Sequence, residues 1–451
     1  MNSISLKLPY LKILLVSFSI SISSASLAEE TISLMDQYGE NISAILKQQT
    51  AYGTHSSSIN QNEWQLDLEY SEAIDTEIFS GDIMAITRAR FDFQQALEDE
   101  SGNSLRIREL YWQTYGDNSF WRIGKQQVVW GEADGIKLLD VINPQDFREF
   151  ILDDFDDSRI PLWMMNAQIN TSDSGILQLL VIPDTSTHKL AEDGSIYQLT
   201  SPVLVPTIDM EGLIDIGVNK IYIDKKTKAD GGDIGTRYSD FISLYDSSWD
   251  ITLNYLYHYV DIPVIRTAVV NNELLIDYQF ERSHLIGGST STVIADFILR
   301  SEIAYETDRY QRGEESNNNV INPIVIKGNT LSSIIGIDYQ GISDHFISMQ
   351  WYRQTLLLSK DKLQQAIADR DEDRLTLLWE TKFLNETLTT RWQHLHGINH
   401  NDGVLRPKVI YNWQSNIDVY LGADYFYGKS EDFFGQFNNT DRIVAGFTIG
   451  I

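Results

Sequence analysis

Residues 120–163 read FWRIGKQQVVWGEADGIKLLDVINPQDFREFILDDFDDSRIPLW, and the fold turns on what this stretch does. A strand-like run ends near Val129, residues 130–161 show no steady period of two, and a second strand-like run begins at Leu162. In a closed sheet, so long a connection either extends into water or returns into the barrel mouth. The segment is strongly acidic, since residues 130–162 carry nine acids against three bases, and it is read here as returning. The sequence therefore predicts an inward-folded loop that narrows a pore.

The flanking chain alternates. Glu63–Ser71 places Trp64, Leu66, Leu68 and Tyr70 on one face and Gln65, Asp67 and Glu69 on the other, and Ile83–Gln94 sets Ala85, Ala89, Phe91 and Phe93 opposite Arg88, Arg90 and Asp92. A period of two sends successive side chains to opposite faces of a sheet. Short turns, such as 116–118, 172–174, 246–248, 341–343 and 414–416, alternate with longer polar loops at 56–62, 95–104, 130–162, 183–234, 261–272, 306–330, 358–371, 397–403 and 428–440. Short turns at one end and long loops at the other describe a transmembrane up-and-down antiparallel β-barrel, an all-β fold. Parity gives about eighteen strands, with sixteen left open. That count takes 43–55 as the first strand, 441–451 as the closing one, and 273–282 and 292–307 as a pair joined through 283–291. Leu213–Ile223 (LIDIGVNKIYI) also looks like a strand, but its parity assigns it to the 183–234 loop, as a local hairpin or plug. The strands exceed the usual soluble length of about 5–6 residues and approach the 9–11 of a tilted membrane strand. Ten aromatic residues, Trp249, Tyr255, Tyr257, Tyr259, Trp351, Tyr352, Trp413, Tyr420, Tyr425 and Tyr427, are candidates for interfacial girdles. Neither sandwich spacing nor blade repeats appear.

Residues 1–28 read as a signal peptide: Lys7 and Lys12, an apolar run from Ile13, and Ser26-Leu27-Ala28 at the cleavage site. Residues 29–42 then form a periplasmic segment and 43–451 the barrel. The chain's formal charge is -29, so nucleic acid is excluded as a partner. It contains no cysteine, so an exported fold must close on itself without disulfides. After residue 28 no apolar run reaches the length of a spanning helix.

On these residues a resemblance can be stated. GKQQVVWGEADG at 124–135, DVINPQDFRE at 140–149 and SRIPLW at 158–163 resemble the signature of a large, functionally unassigned family of Gram-negative outer-membrane barrels, distantly similar to alginate-export-type porins. Weaker echoes are LNYLYHYVDIPV at 253–264, SHLIGGSTS at 283–291 and YFYGKSEDFFGQF at 425–437. The resemblance implies an outer-membrane location and a transport role.

The candidate constriction comprises Glu132, Asp134, Asp140, Asp146, Arg148, Glu149 and Arg159 on the loop, facing Arg88, Arg90, Glu109, Arg122 and Gln126 on the polar parity of their strands. Acids in a low-dielectric eyelet focus field and favour cations or polar solutes. The same arginines could instead neutralise lumen carboxylates and fix the loop. Asp153-Asp154-Phe155-Asp156-Asp157 lacks the spacing of a calcium loop, and His394 and His396 read as interfacial rather than zinc-binding. No GxSxG or HExxH motif occurs, and neither Asp344-His345 nor Ser283-His284 makes a triad, so no enzyme and no cofactor are expected. The sequence thus supports a channel for a small or amphipathic solute, with outer-membrane lipid and lipopolysaccharide around it. The alternative is a plugged barrel serving as the outer-membrane partner of an export or lipid-trafficking complex.

Overall fold

The computed structural model describes residues 41–76, 80–94, 103–133, 135–206, 220–244, 247–317 and 320–451. The predicted signal peptide lies outside the described residues, as does the predicted periplasmic segment up to residue 40. Eighteen strands form one antiparallel sheet. The first nine are β1 (Ile42–Gly53), β2 (Ser58–Asp75), β3 (Ser80–Asp92), β4 (Asn103–Gly116), β5 (Ser119–Gln126), β6 (Leu162–Asn170), β7 (Ile176–Ile182), β8 (Asp233–Leu244) and β9 (Ser247–Tyr259). The second nine are β10 (Arg282–Ile294), β11 (Phe297–Asn317), β12 (Val320–Tyr339), β13 (His345–Leu357), β14 (Asp371–Phe383), β15 (Leu388–Gly397), β16 (Asp402–Gln414), β17 (Ile417–Tyr427) and β18 (Arg442–Gly450). Each pairs with its neighbours in the chain, and β18 closes onto β1 from Gly450 opposite Ile45 to Arg442 opposite Gly53. Closure leaves no wall edge with unpaired backbone groups, which is what a sheet needs to stand in lipid.

Alternation decides which face meets which solvent. On β9 to β12, Leu253, Ile286, Ile303 and Ile335 point outward and are exposed, whereas Asn254, Leu256, Leu285, Ala304 and Ile334 point inward and are buried. A surface of this kind is stable only against hydrocarbon. Tight turns such as Asp117-Asn118, Ala295-Asp296 and Ser415-Asn416 gather at one end, and the long connections gather at the other.

Several segments depart from the sequence reading. Glu273–Gln279 is not a wall strand: with Val264–Val270 and Lys220–Asp224 it forms a separate three-stranded sheet, packed on its own small core of Leu274 and Ile276. The wall strand is instead the stretch read as a connector, 283–291, whose Gly287, Gly288 and Ser289 look like a loop but carry the ladder to β9 and β11. Of the segment 213–223, residues 213–219 lie outside the described residues, and Lys220–Asp224 runs parallel to Glu273–Gln279. The loops at 56–62 and 306–330 are largely strand: β2 begins at Ser58, and β11 and β12 run 21 and 20 residues. In β2 the polar run Asn60-Gln61-Asn62 hides the alternation, because the inward face is itself polar. Two girdle candidates face inward: Tyr352 packs in the lumen core and Tyr420 lines an inner cavity.

Candidate functional site

After Gln126 the chain leaves the wall, crosses the lumen and rejoins it at Leu162. Asn143 closes the base of this excursion: its Oδ1 accepts the Val128 N–H at 2.8 Å and its Nδ2 donates to the Ile160 carbonyl at 2.9 Å. Gln126, fully buried, donates from Nε2 to the carbonyls of Arg122 at 3.1 Å and Met164 at 3.2 Å. Irregular backbone at membrane depth has no water to solvate it, so side-chain amides must satisfy its polar groups.

One side of the loop has an apolar seat. Trp130 and Leu139 are fully buried against inward side chains of β6 to β12, including Leu180, Leu256, Leu285 and Ile334. Two glycines make the room. A Cβ at Gly235 would come 2.9 Å from the Trp130 ring, and one at Gly287 would come 2.7 Å from Leu139 Cδ2. The Trp130 Nε1 donates to Gln178 Oε1 at 2.8 Å, so its one polar atom is matched. Glu302 on β11 accepts the backbone N–H groups of Glu132, Ala133 (3.0 Å) and Leu139 (3.1 Å), and Arg300 donates to the Glu132 carbonyl at 2.6 Å.

The opposite side is a charged seat. Arg88 binds Asp67 at 2.7 Å and Asp157 at 2.6 Å, and Lys47 also pairs with Asp157. Arg90 binds Glu63 at 2.6 Å and approaches Glu149 and Asp153 at 3.7 Å. Glu149 also takes Arg442 at 3.1 Å and the Gln61 amide at 2.6 Å, while Arg442 and Arg406 grip Asp424 at 2.7 and 2.8 Å. Within the loop, Asp140 pairs with Arg159 at 2.9 Å and Asp146 with Arg148 at 2.6 Å. Burial works to raise the Asp146 and Asp157 carboxyls, but Arg148 outweighs it at the first, and Arg88 with Lys47 at the second, so both sit well below the carboxylate range. Burial and the neighbouring Glu149 charge push Asp153 up to about 7. His188, whose Nδ1 accepts the Gln145 N–H at 2.8 Å, is driven by burial down to about 3.

Phe150 joins the loop to the outer end of the barrel. Its backbone is left-handed (φ 55°), a conformation that costs a bulky residue on the order of 1–3 kcal/mol. Packing holds it there, with ring centroids 4.5 Å from Phe437, 5.2 Å from Phe433 and 6.0 Å from Phe434.

Of the predicted constriction residues, Arg90 and Glu149 meet in one network, Arg88 holds Asp67 and Asp157 in another, and Asp140, Arg159, Asp146 and Arg148 pair within the loop. Gln126 sits at the loop's root, and Glu132 accepts a hydrogen bond from Ser289 Oγ at 3.3 Å. Asp134 lies outside the described residues. Glu109 and Arg122 face the lumen away from these pairs: Glu109 binds the Gln127 amide at 2.8 Å, and Arg122 binds Gln113 at 2.9 Å with its guanidinium over the Tyr111 ring. The sequence reading missed Arg108, Asn143, Arg300, Glu302, Arg406, Asp424 and Arg442. Arg300, Glu302 and Arg442 lie within stretches read as strands, and a charge on the inward parity was the available signal; Asn143 carried none.

One cavity borders the inward segment and a second lies among the long connections and strand ends. The inner one, about 230 Å³, is lined by Asp153, Asp154, Arg391, Lys408 and Tyr420 among others. Lys408 Nζ lies 4.1 Å over the Tyr420 ring. The outer one, about 260 Å³, mixes Ile262, Val264 and Leu356 with Arg309, Arg312 and Arg374. Among the described residues, no group of three or more His, Asp or Glu side chains is arranged to hold a metal. His394 and His396 each meet the Tyr427 hydroxyl at 2.8 Å.

A family model described as "Protein of unknown function (DUF1302)" matches residues 38–437. No curated protein sequence matches the chain. Among solved structures, the chain is similar to Pseudomonas aeruginosa OpdK with vanillate, at 11% identity and TM-score 0.51, over 91% of this chain and 98% of that one. P. aeruginosa OccK2 (OpdF) in complex with glucuronate is similar at 11% identity and TM-score 0.50, over 91% and 97%. Acinetobacter baumannii OccAB2 is similar at 9% identity and TM-score 0.50, over 91% and 97%. The shared fold, the closed wall and the exposed apolar belt make this an outer-membrane β-barrel.

Proposed function

The chain belongs to this family of proteins of unknown function, and from that premise we propose that it is an outer-membrane channel for a small polar or amphipathic solute, gated by the segment 127–161. The observation that carries this reading is the asymmetric seating of that segment. A loop placed only to plug would gain most from apolar packing all round, whereas here one whole side rests on ion pairs that water, salt or a charged solute can compete for. Passage would follow the charged side, between the outer and inner cavities.

The acids of the loop are largely matched by bases, so its net field is weaker than its composition suggests. Lys408 and Asp154, which both line the inner cavity and act on each other as charge neighbours, would set a modest selectivity. Two structural neighbours were crystallised with small carboxylates, vanillate and glucuronate, which supports a solute of that size. No catalytic group is assigned.

The filled apolar side favours a second reading, a plugged barrel that partners an export or lipid-trafficking complex. Planar-bilayer recording separates the two. A channel conducts as isolated and conducts more after residues 132–158 are replaced by a short linker. A plugged barrel is silent until that replacement, and a barrel silent in both forms sinks the channel reading.

A further inference from the structure

The inner cavity is lined by six bases, and five of them are already gripped by carboxylates of the chain. Lys47 is held by Asp157, Arg90 by Glu63, Arg391 by Glu380, and Arg406 and Arg442 by Asp424. Lys408 is the sixth. Its Nζ lies over the Tyr420 ring, and it feels the charge of Asp154 on the inward segment without closing an ion pair with it. Asp154 is itself exposed and lines the same cavity. The other acids left on the lining are engaged, Asp153 with Arg90 at 3.7 Å and Asp418 with the Asn412 amide at 2.5 Å. One ammonium and one carboxylate therefore stand across the cavity from each other, each with its charge only partly answered.

The wall supplies the first group and the loop the second. Arg406, on the inward parity of β16, donates to the carbonyls of Ile151 at 3.3 Å and Leu152 at 2.6 Å, which fixes the loop against this strand. Lys408 is two residues beyond Arg406 and Asp154 two beyond Leu152, so both reach one cavity. Gly422, opposite Lys408 in the ladder to β17, adds no side chain beside the ammonium. A simple anion would be drawn to Lys408 and repelled by Asp154, and a simple cation the reverse. A molecule that carries both charges is met at both ends. The volume, about 230 Å³, falls below the ~300 Å³ at which sites for drug-sized ligands begin, so that molecule is small.

We infer that the inner cavity is a binding site for a free amino acid, a zwitterion whose carboxylate is taken by Lys408 and whose ammonium is taken by Asp154. Leu152, Ile410 and Val444, which also line the cavity, offer an apolar wall to an aliphatic side chain. The inference deepens the channel reading by naming the class of solute, and it rests on that reading for passage but not for binding. Because Asp154 belongs to the inward segment, a solute bound here would bridge the wall and the loop.

The test titrates the full-length protein in detergent micelles with three probes of one shape, read by saturation-transfer NMR. L-leucine carries both charges, 4-methylpentanoate lacks the ammonium, and 3-methylbutylamine lacks the carboxylate. Leucine should bind at least tenfold more tightly than either analogue, the worth of one further charge-assisted contact. Lys408→Met should weaken leucine and 4-methylpentanoate about tenfold and spare the amine, whereas Asp154→Asn should weaken leucine and the amine and spare 4-methylpentanoate. Lys408→Arg should keep most of the leucine affinity. Each variant is first checked for heat-modifiable mobility on a gel. Two groups that merely neutralised each other would give variants that treat the three probes alike, and that result overturns the proposal, as does equal binding of the three probes by the parent or unchanged leucine affinity in Lys408→Met. Bilayer conductance of the same preparation is read separately. A barrel that conducts but ignores leucine loses the site and keeps the channel, one that binds leucine but is silent keeps the site and loses the channel, and one that does neither loses both.

Discussion

The two sides on which the inward segment rests differ in chemistry and therefore in what can move them. The Trp130 and Leu139 side is held by burial into pockets made by Gly235 and Gly287, which salt and pH leave nearly untouched. The Glu149 and Asp157 side is held by Arg88, Arg90, Arg442 and Lys47, in contacts that depend on charge state and on exclusion of water. On the gating proposed above, the first side would act as the hinge and the second as the latch. What the contrast teaches is that the two edges of one loop are bound by different forces, so conditions that weaken one need not weaken the other.

Five substitutions and a titration test this contrast. The largest effect belongs to Arg442→Met, which strips Glu149 and Asp424 of a shared buried partner. Removing one member of such a network costs about 3–5 kcal/mol. Conductance should rise and the latch side of the loop should become protease-sensitive, while a variant that conducts and digests like the parent would dissolve the distinction between latch and hinge. Leu139→Ala should cost about 3 kcal/mol through an unfilled cavity, and it should lower the thermal unfolding midpoint in detergent more than it changes conductance. If it opens the pore as Arg442→Met does, both sides are latches. Gly287→Val should cost about 1–3 kcal/mol by overpacking Leu139, again read as a lower midpoint. Asn143→Ala, which frees the Val128 N–H and the Ile160 carbonyl, should cost about 1–2 kcal/mol and loosen both edges equally, as increased hydrogen exchange at 128 and 160.

The pH effects are the smallest, and their signs differ. Asp146 and Asp157 are held below the ordinary carboxylate range, so their contribution is complete above about pH 4 and is lost as pH falls through their lowered values; strong acid should open the latch. Asp153 is raised, so the seated loop binds a proton that a released loop would not, and seating should be tighter at pH 6 than at pH 8. Asp153→Asn should remove that dependence. His188 opposes it: because its seated form stays neutral, acid below about pH 6.5 favours release. A parent channel with flat conductance from pH 5 to 8, coupled to an Asp153→Asn variant that is no different, would leave the latch without its titratable part.

Much of the wall was legible because lipid on one face and a polar lumen on the other force a period of two. That logic located β3, β9 and β17 and placed Arg88 and Arg90 inward. It failed where a neighbour rather than a solvent chose the residue. Gly287 and Ser289 read as a turn because small residues usually mark one, but here they are small so that the returning loop can approach. It failed again at Glu273–Gln279, whose alternation is real but serves a separate small core. The excursion at 130–161 was legible from its broken period. Its individual contacts were not: Arg442 lies nearly three hundred residues from Glu149, and no local pattern couples them.

That separation bears on how the molecule is made. The guanidinium that clasps Glu149 sits on β18, the last strand to emerge in synthesis, and β18 is also the one that zips against β1. The clasp is thus unavailable to any partly assembled sheet. An intermediate lacking its final seam would hold the excursion by its apolar edge and by Lys47, Arg88 and Arg90, and acquisition of the Arg442 clasp would coincide with completion of the cylinder. Contacts of such long sequence separation form late and slowly, so protection of the Glu149 region from protease would serve as a built-in reporter of when the ring has been sealed.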